Sequence, residues 1–426
     1  MRKNINKLIA FAIGISVISG NAITAFGEED VQNNTTTINE TTADTTNTGV
    51  IYVQNQVKKD QVTQKPVLTL QESIDAAINN SDKLALKSKE IKLYEDKLDI
   101  QDELDDIQDN DDNDFPYDKL ELTVDQTKEQ KDYMEDQIAQ DITNKYNDLI
   151  TRNNEIDQIK KQLEIKTIEN GYVKLKKDLG LATEIEIKNA DVEFQKLKNS
   201  EKAKEDQLKN AQDYFKILTE KDLNNYSLQE EQEFEAFKIN KSQDEYFDNV
   251  IDKYYKYDKK IFELTKDNLD DNKVHRPSSS DKPDKDDFKS SDENGNQVFD
   301  SEGYAKAERE YENSFTDYGT YLQNKYNLSS SKVSLEENKK NLKKGLKESY
   351  AKLIDMENSI NVAKSNIEVK NNELSIAKLK YDQGLITKIA YDKQVIDNDT
   401  LETDLRTSIN DYNTLKNQIQ KPWLLS

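Results

Sequence analysis

The chain has no cysteine, one histidine, five prolines and only eleven glycines in 426 residues. Without cysteine it has no disulfide staple and no thiol for lipid attachment. A single histidine (His275, beside Arg276-Pro277) and no cysteine exclude the usual zinc sites, thiol chemistry and the Ser-His-Asp arrangement. No glycine-rich phosphate loop occurs, so no catalytic set and no cofactor is expected, and the chain reads as a non-enzyme. Positive charge is also short: 61 Lys and Arg against 84 Asp and Glu leave a net charge of −23. That balance argues against nucleic acid and against adhesion to anionic headgroups, and its plain consequence is solubility. After residue 27 no apolar run approaches a membrane-spanning helix. What remains is rich in Lys, Glu, Asp, Asn, Leu and Ile with few breakers, which predicts long helices joined by narrow apolar seams.

The first 27 residues read as an export signal. Arg2, Lys3 and Lys7 precede the apolar run Leu8–Ile18, which is too short for a stable anchor, and Ala25-Phe26-Gly27 sets small residues before a cut at Glu28. Its removal takes away three positive charges, giving −23 − 3 = −26. Residues 28–66 are rich in Thr and Asn and read as a disordered spacer.

The rest of the chain is duplicated. Shifting residues 142–187 by 204 positions lays them on 346–391 without a gap: Tyr146 on Tyr350, Leu149 on Leu353, Ile156 on Ile360, Lys174-Leu175-Lys176 on Lys378-Leu379-Lys380, and Gly180-Leu181 on Gly384-Leu385. A duplication this regular implies two copies of one structural unit. In the second copy Leu346, Leu353, Ile360, Ile367, Leu374 and Tyr381 keep a seven-residue period, the mark of coiled-coil packing. A helix from Leu70 to Gln108 is expected first, then a break at Asp109–Asp114 and Phe115-Pro116. A long helix from near Asp125 is expected to end at Gly180, and its counterpart at Gly384, each Gly taking the left-handed position that closes a helix. Thr183 and Thr387 are placed to cap the returning helices; Glu186 completes a capping box in the first copy, and Ala390 cannot do so in the second. Residues 219–241 read as an irregular connector, Tyr246–Leu269 as the second copy's first helix, and 270–303 as a solvated loop. The expected fold is all-α: long antiparallel coiled-coil hairpins with little or no β-structure, organised as repeat 1 (67–222), a connector (223–241) and repeat 2 (242–426).

Leu68-Thr69-Leu70-Gln71-Glu72-Ser73-Ile74, then Ala77-Ile78, Asn80 and Leu84, resembles the opening of the TolC family of outer-membrane efflux proteins, with Ser81 where that family has proline. Leu179-Gly180-Leu181-x-Thr183 and Gln383-Gly384-Leu385-x-Thr387 are similar to that family's hairpin-tip motif. The resemblance covers roughly 67–426 and implies a homotrimer, a hollow helical cylinder under a membrane barrel, and tips that dock on a periplasmic adaptor serving an inner-membrane transporter. The barrel is where the sequence departs. Membrane strands need about 9–11 alternating residues each. Leu120, Leu122 and Val124 are the only alternation in the first copy, and 270–300 is charged.

The residues expected to carry function are therefore Leu179, Gly180, Leu181, Thr183, Gln383, Gly384, Leu385 and Thr387, with Ile386 beside them. They either dock an adaptor through exposed aliphatics or serve turn chemistry alone. The acidic run Asp105–Asp114 fails the calcium-loop pattern, with Asp114 at position 6 and Leu120 at position 12, and so does 292–302. Tyr254, Tyr255 and Tyr257 read as packing residues. Two roles follow: an exported conduit or docking component of an efflux system, or an elongated, barrel-less envelope scaffold without transport.

Overall fold

The computed structural model describes residues 65–108, 114–240, 242–291 and 296–425. The export signal, nearly all of the spacer, Asp109–Asn113 of the acidic run and residues 292–295 lie outside the described residues. The described chain is all-helical in its architecture. Eight α-helices follow in order: α1 (Leu70–Asn79), α2 (Asp82–Gln108), α3 (Phe115–Asp178), α4 (Glu184–Thr219), α5 (Gln243–Tyr254), α6 (Lys256–Asp271), α7 (Ser301–Asp382) and α8 (Lys388–Gln420). Among the described residues strands are limited to β1 (Val67–Leu68), β2 (Ser227–Leu228), β3 (Lys289–Ser291) and β4 (Gln297–Phe299).

The helices form two compact units, each taking segments from both sequence copies. One unit contains residues 129–240 and 344–425 together with α1, the start of α2 and most of α5. Its buried residues follow the duplicated register: Ile142, Tyr146, Leu149 and Ile156 on α3, and at the same shifted positions Leu346, Tyr350, Leu353 and Ile360 on α7. Around the first set pack Leu68, Ala77 and Phe215. The Tyr146 hydroxyl donates to Leu68 O at 2.6 Å and accepts from Gln229 N at 2.6 Å, pinning the parallel pair β1–β2, in which Val67 faces Ser227. In the second copy the Tyr350 hydroxyl accepts from Ile239 N at 3.2 Å, and Phe237 and Phe247 meet its ring edge-on. Two connector segments, β2 with the residue after it and the irregular stretch at Ile239, are thus held by equivalent tyrosines. At the C-terminus Trp423 stacks on Tyr133 with ring centroids 4.2 Å apart and donates Nε1 to Asp136 at 2.9 Å.

The other unit holds residues 90–108, 114–128 and 251–343 among those described. Val124 and Thr127 on α3, Phe262 and Thr265 on α6 and Leu342 on α7 are its buried residues, with Ile251 of α5. Lys128–Glu95 (2.9 Å), Gln126–Asp258 (3.1 Å) and Lys339–Asp252 (2.9 Å) tie its helices.

Several boundaries differ from the sequence expectation for physical reasons. The helix expected from Leu70 to Gln108 is broken at Asn80-Ser81. Asn80 Nδ2 donates to Ile217 O and Leu218 O at the end of α4, satisfying carbonyls that the helix leaves free, and Ser81 Oγ accepts from Leu84 N to open α2. α3 begins at Phe115 rather than near Asp125, with Pro116 in the first turn, where its missing N–H costs nothing. Leu120, Leu122 and Val124 are consequently helical. The expected helix over Tyr246–Leu269 is two, α5 and α6, divided at Tyr255. The expected loop at 270–303 contains an antiparallel hairpin pairing Lys289 with Phe299 and Ser291 with Gln297, under a small cluster of Phe288, Phe299 and Tyr304.

Candidate docking site at the two hairpin turns

α3 and α7 end in the same way. At the first turn Gly180 has φ +73°; its N–H donates to Lys177 O (2.8 Å), and the Leu181 N–H donates to Lys176 O (2.7 Å). At the second, Gly384 has φ +70°, and the Gly384 and Leu385 N–H groups donate to Tyr381 O and Lys380 O, both at 2.8 Å. This pair of bonds is the Schellman closure, which needs a left-handed residue at the glycine. The returning helices then start on threonine. Thr183 Oγ1 accepts from Glu186 N at 3.2 Å while Glu186 accepts from Thr183 N at 2.6 Å; these bonds, from the backbone first and then the side chain of Thr183, hold the Glu186 carboxyl below its ordinary range. Thr387 Oγ1 accepts from Ala390 N at 3.2 Å, without the reciprocal bond, as Ala390 dictates.

The side chains that close the turns differ. In the first, Lys177 pairs with Glu184. In the second, the position of Lys177 holds Tyr381, which stacks on Tyr391 at 5.5 Å and 10°, with Lys378 Nζ over both rings at 5.6 and 5.7 Å. Lys378 also bonds Asp382 at 2.9 Å, and that hydrogen bond raises its pKa.

Of the aliphatics expected at the tips, Leu179, Leu181 and Leu385 are exposed, Leu181 at 73% and Leu385 at 69%. Ile386 is half-buried, and so is Ala182 at the equivalent place. This corrects the expectation that Ile386 is exposed: the residue two after the glycine turns inward in both copies. Four residues not singled out from sequence join the exposed set. Tyr172 and Leu175 on α3 and their equivalents Ile376 and Leu379 on α7 are each more than half exposed. The duplicated Lys-Leu-Lys that contains Leu175 and Leu379 was the available signal. Each turn therefore presents exposed apolar residues from about the last two turns of the incoming helix to the residue after glycine, interspersed with lysines. Among the described residues no group of three or more His, Cys, Asp or Glu is placed to hold a metal, and no helix is long and apolar enough to cross a membrane.

No family model and no curated protein matches this chain. Its fold does match solved structures. A membrane protein from Pseudomonas aeruginosa shares 9% identity at TM-score 0.52, over 88% of this chain and 99% of that one. CusC, solved in conformations that accompany folding and transmembrane channel formation, shares 10% identity at TM-score 0.54, over 87% and 95%. The outer membrane protein VceC from Vibrio cholerae shares 9% identity at TM-score 0.53, over 83% and 96%. At these identities the likeness establishes the fold: it is TolC-like.

Proposed function

We propose that this protein is an exported, TolC-like component of an efflux or export system, acting as a helical conduit or dock in the cell envelope and engaging an adaptor through its two hairpin turns. One observation carries the reading. Exposed apolar residues recur at equivalent positions of both turns, at 172 and 376, 175 and 379, and 181 and 385. The TolC-like fold is its second support. In this reading copies of the chain associate, as a trimer if they follow the family pattern, and the partner is a coiled-coil hairpin adaptor linked to a transporter. No catalytic residue and no cofactor is required, since recognition is by shape and apolar contact.

A second reading is favoured by the described strands, none longer than three residues. Membrane strands require about 9–11 residues each. On that reading the hairpins form an envelope scaffold with no transport activity.

The deciding experiment is capture of a purified adaptor-type coiled-coil hairpin by the mature chain. Leu181→Asp with Leu385→Asp leaves helicity and self-association intact and abolishes capture. Undiminished capture by the double variant would reduce both turns to helix closures.

A further inference from the structure

The start of α6 gathers positive charge in a chain that is otherwise acidic. Lys256, Lys259 and Lys260 are exposed and line a cavity of about 690 Å³ with Leu122 of α3 and Asp252 of α5. That volume lies in the range of small-molecule sites, about 300–1,000 Å³. The whole lining belongs to one unit. Standing at i, i+3 and i+4, the three lysines share one face of the helix. At about 100° per residue Asp258 falls on the far side, where Gln126 Nε2 donates to its Oδ1 at 3.1 Å.

The charges on this face do not cancel. Its carboxylates are already matched by lysines from outside the trio: Asp252 pairs with Lys339 at 2.9 Å, and Glu263 and Asp267 meet Lys266 at 3.6 and 3.5 Å. Among the described residues Lys256, Lys259 and Lys260 pair with no carboxylate. The Lys256 and Lys260 ammonium groups stand instead 4.6 and 5.3 Å from the centroid of the Tyr257 ring. On α7 the same spacing joins opposite charges, as in Lys344–Glu348 at 3.8 Å and Lys370–Glu373 at 2.8 Å. Like charges at that spacing repel. Their place on the helix adds to the cost. A helix start carries partial positive charge and favours anions, and the side chain of Tyr255, which opens α6, makes no capping bond. Folding would favour acids here, and the sequence supplies three lysines. The net charge of −23 is an average, and this face is its local opposite.

An anion of two or more charges would relieve both the repulsion and the uncapped helix start. Lysine ammonium groups on flexible stems act as point charges and suit a tetrahedral phosphate approached from several directions. A planar carboxylate is better matched by the guanidinium fork, and no arginine lines the cavity. We propose that the cavity at the start of α6 is a binding site for a phosphate-bearing ligand, with Lys256, Lys259 and Lys260 as its cationic contacts. The inference is independent of docking at the turns, which belong to the other unit.

The test is calorimetric titration of the mature chain with inorganic pyrophosphate. One saturable site per chain is expected, weakened by about a hundredfold in Lys256→Gln/Lys259→Gln/Lys260→Gln, with the helical spectrum unchanged. Lys306→Gln/Lys344→Gln/Lys370→Gln removes the same charge from lysines that are paired with acids, and it should bind as the unmodified chain does. Acetylation of amines, read by mass spectrometry, gives the local measure: pyrophosphate should shield Lys256, Lys259 and Lys260 and leave Lys306 and Lys344 as reactive as before. A second arm separates the sources of phosphate. Pyrophosphate binding without capture by phosphatidylglycerol vesicles assigns a soluble ligand, and vesicle capture that the first triple variant loses assigns a headgroup. Equal weakening in both triple variants would reduce the effect to net charge and remove the site. Citrate binding as tightly as pyrophosphate would refute the phosphate assignment, and a chain that takes up neither pyrophosphate nor vesicles would refute the proposal entirely.

Discussion

Replacing Gly180 isolates a single backbone angle. Its φ is +73°, and nothing lies within 4 Å of where a Cβ would stand. A side chain there meets no neighbour, so its cost comes from the left-handed conformation itself. That conformation costs an L-residue about 1–2 kcal/mol, more for a β-branched one, and asparagine least. Gly180→Val is therefore expected to weaken the turn by about 1–2 kcal/mol, a factor of about 5–30 in the closed-to-open ratio. Global melting is a poor readout, because a chain with two units need not unfold in one step. Hydrogen exchange of the Leu181 amide is the right one, since that N–H bonds Lys176 O across the turn and is released when the turn opens. Protection at Leu181 falls by that factor in Gly180→Val, falls less in Gly180→Asn, and is unchanged at Leu385, whose turn is separate. If Gly180→Val leaves Leu181 protection as it was, or if Asn costs as much as Val, the left-handed closure is not what holds the turn.

The two connector tyrosines should differ in weight. Tyr146→Phe strips the hydroxyl from both Leu68 O and Gln229 N and should cost about 1–3 kcal/mol in the urea transition of the unit that holds both tyrosines, followed by the fluorescence of Trp423 in that unit, whereas Tyr350→Phe loses one longer bond and should cost about 1 kcal/mol; the reverse order would contradict the assignment. Burial, first among the causes, pushes the Tyr146 phenol up to about 12. Its contribution is therefore complete below the ordinary value of 10.0 and is lost as pH rises towards 12, a slope that Tyr146→Phe should flatten. Glu402 is raised by burial and then by the charge of Asp399, so its carboxylate is held at a cost at neutral pH, and that cost is relieved as pH falls towards the ordinary 4.5. Glu402→Gln keeps an acceptor for Asn398 Nδ2, which lies 3.2 Å from Glu402 Oε1, and should raise the urea midpoint at neutral pH, with the gain vanishing on acidification. A gain that persists at low pH would assign the effect to packing.

The helices and turns were legible because their causes are local. Heptad spacing, a left-handed glycine and a capping threonine are each written within a few residues, and the 204-residue shift repeats them. The break at Asn80-Ser81 was missed because its cause is distant: Asn80 bonds the last carbonyls of α4, some 137 residues along the chain. The division at Tyr255 carries no glycine or proline to announce it. The hairpin at Lys289–Phe299 is held by its own register and three aromatics inside a charged stretch, where composition points to solvent. Leu86, Leu93, Ile100 and Ile107 on α2 keep as strict a seven-residue period as Leu84, Ile91 and Leu98, yet all four are exposed, and spacing alone does not say which of two such sets is buried.

The two turns also separate what folding needs from what it does not. Their closures agree to within 3° in φ (73° against 70°) and in both hydrogen bonds, yet one is latched by Lys177–Glu184 and the other by the Tyr381–Tyr391 stack. Two different latches hold the same backbone, so the backbone asks only for glycine and a threonine cap. The residues at 172, 175 and 181, and at 376, 379 and 385, lie outside that requirement: all six are exposed, and none is buried by the turn it borders. Leaving an aliphatic in water forgoes about 1.5–3 kcal/mol that burial would return, at every one of these places except Tyr172. Folding does not demand this arrangement, which recurs at the turns of both hairpin copies, and docking of the proposed adaptor would cover it.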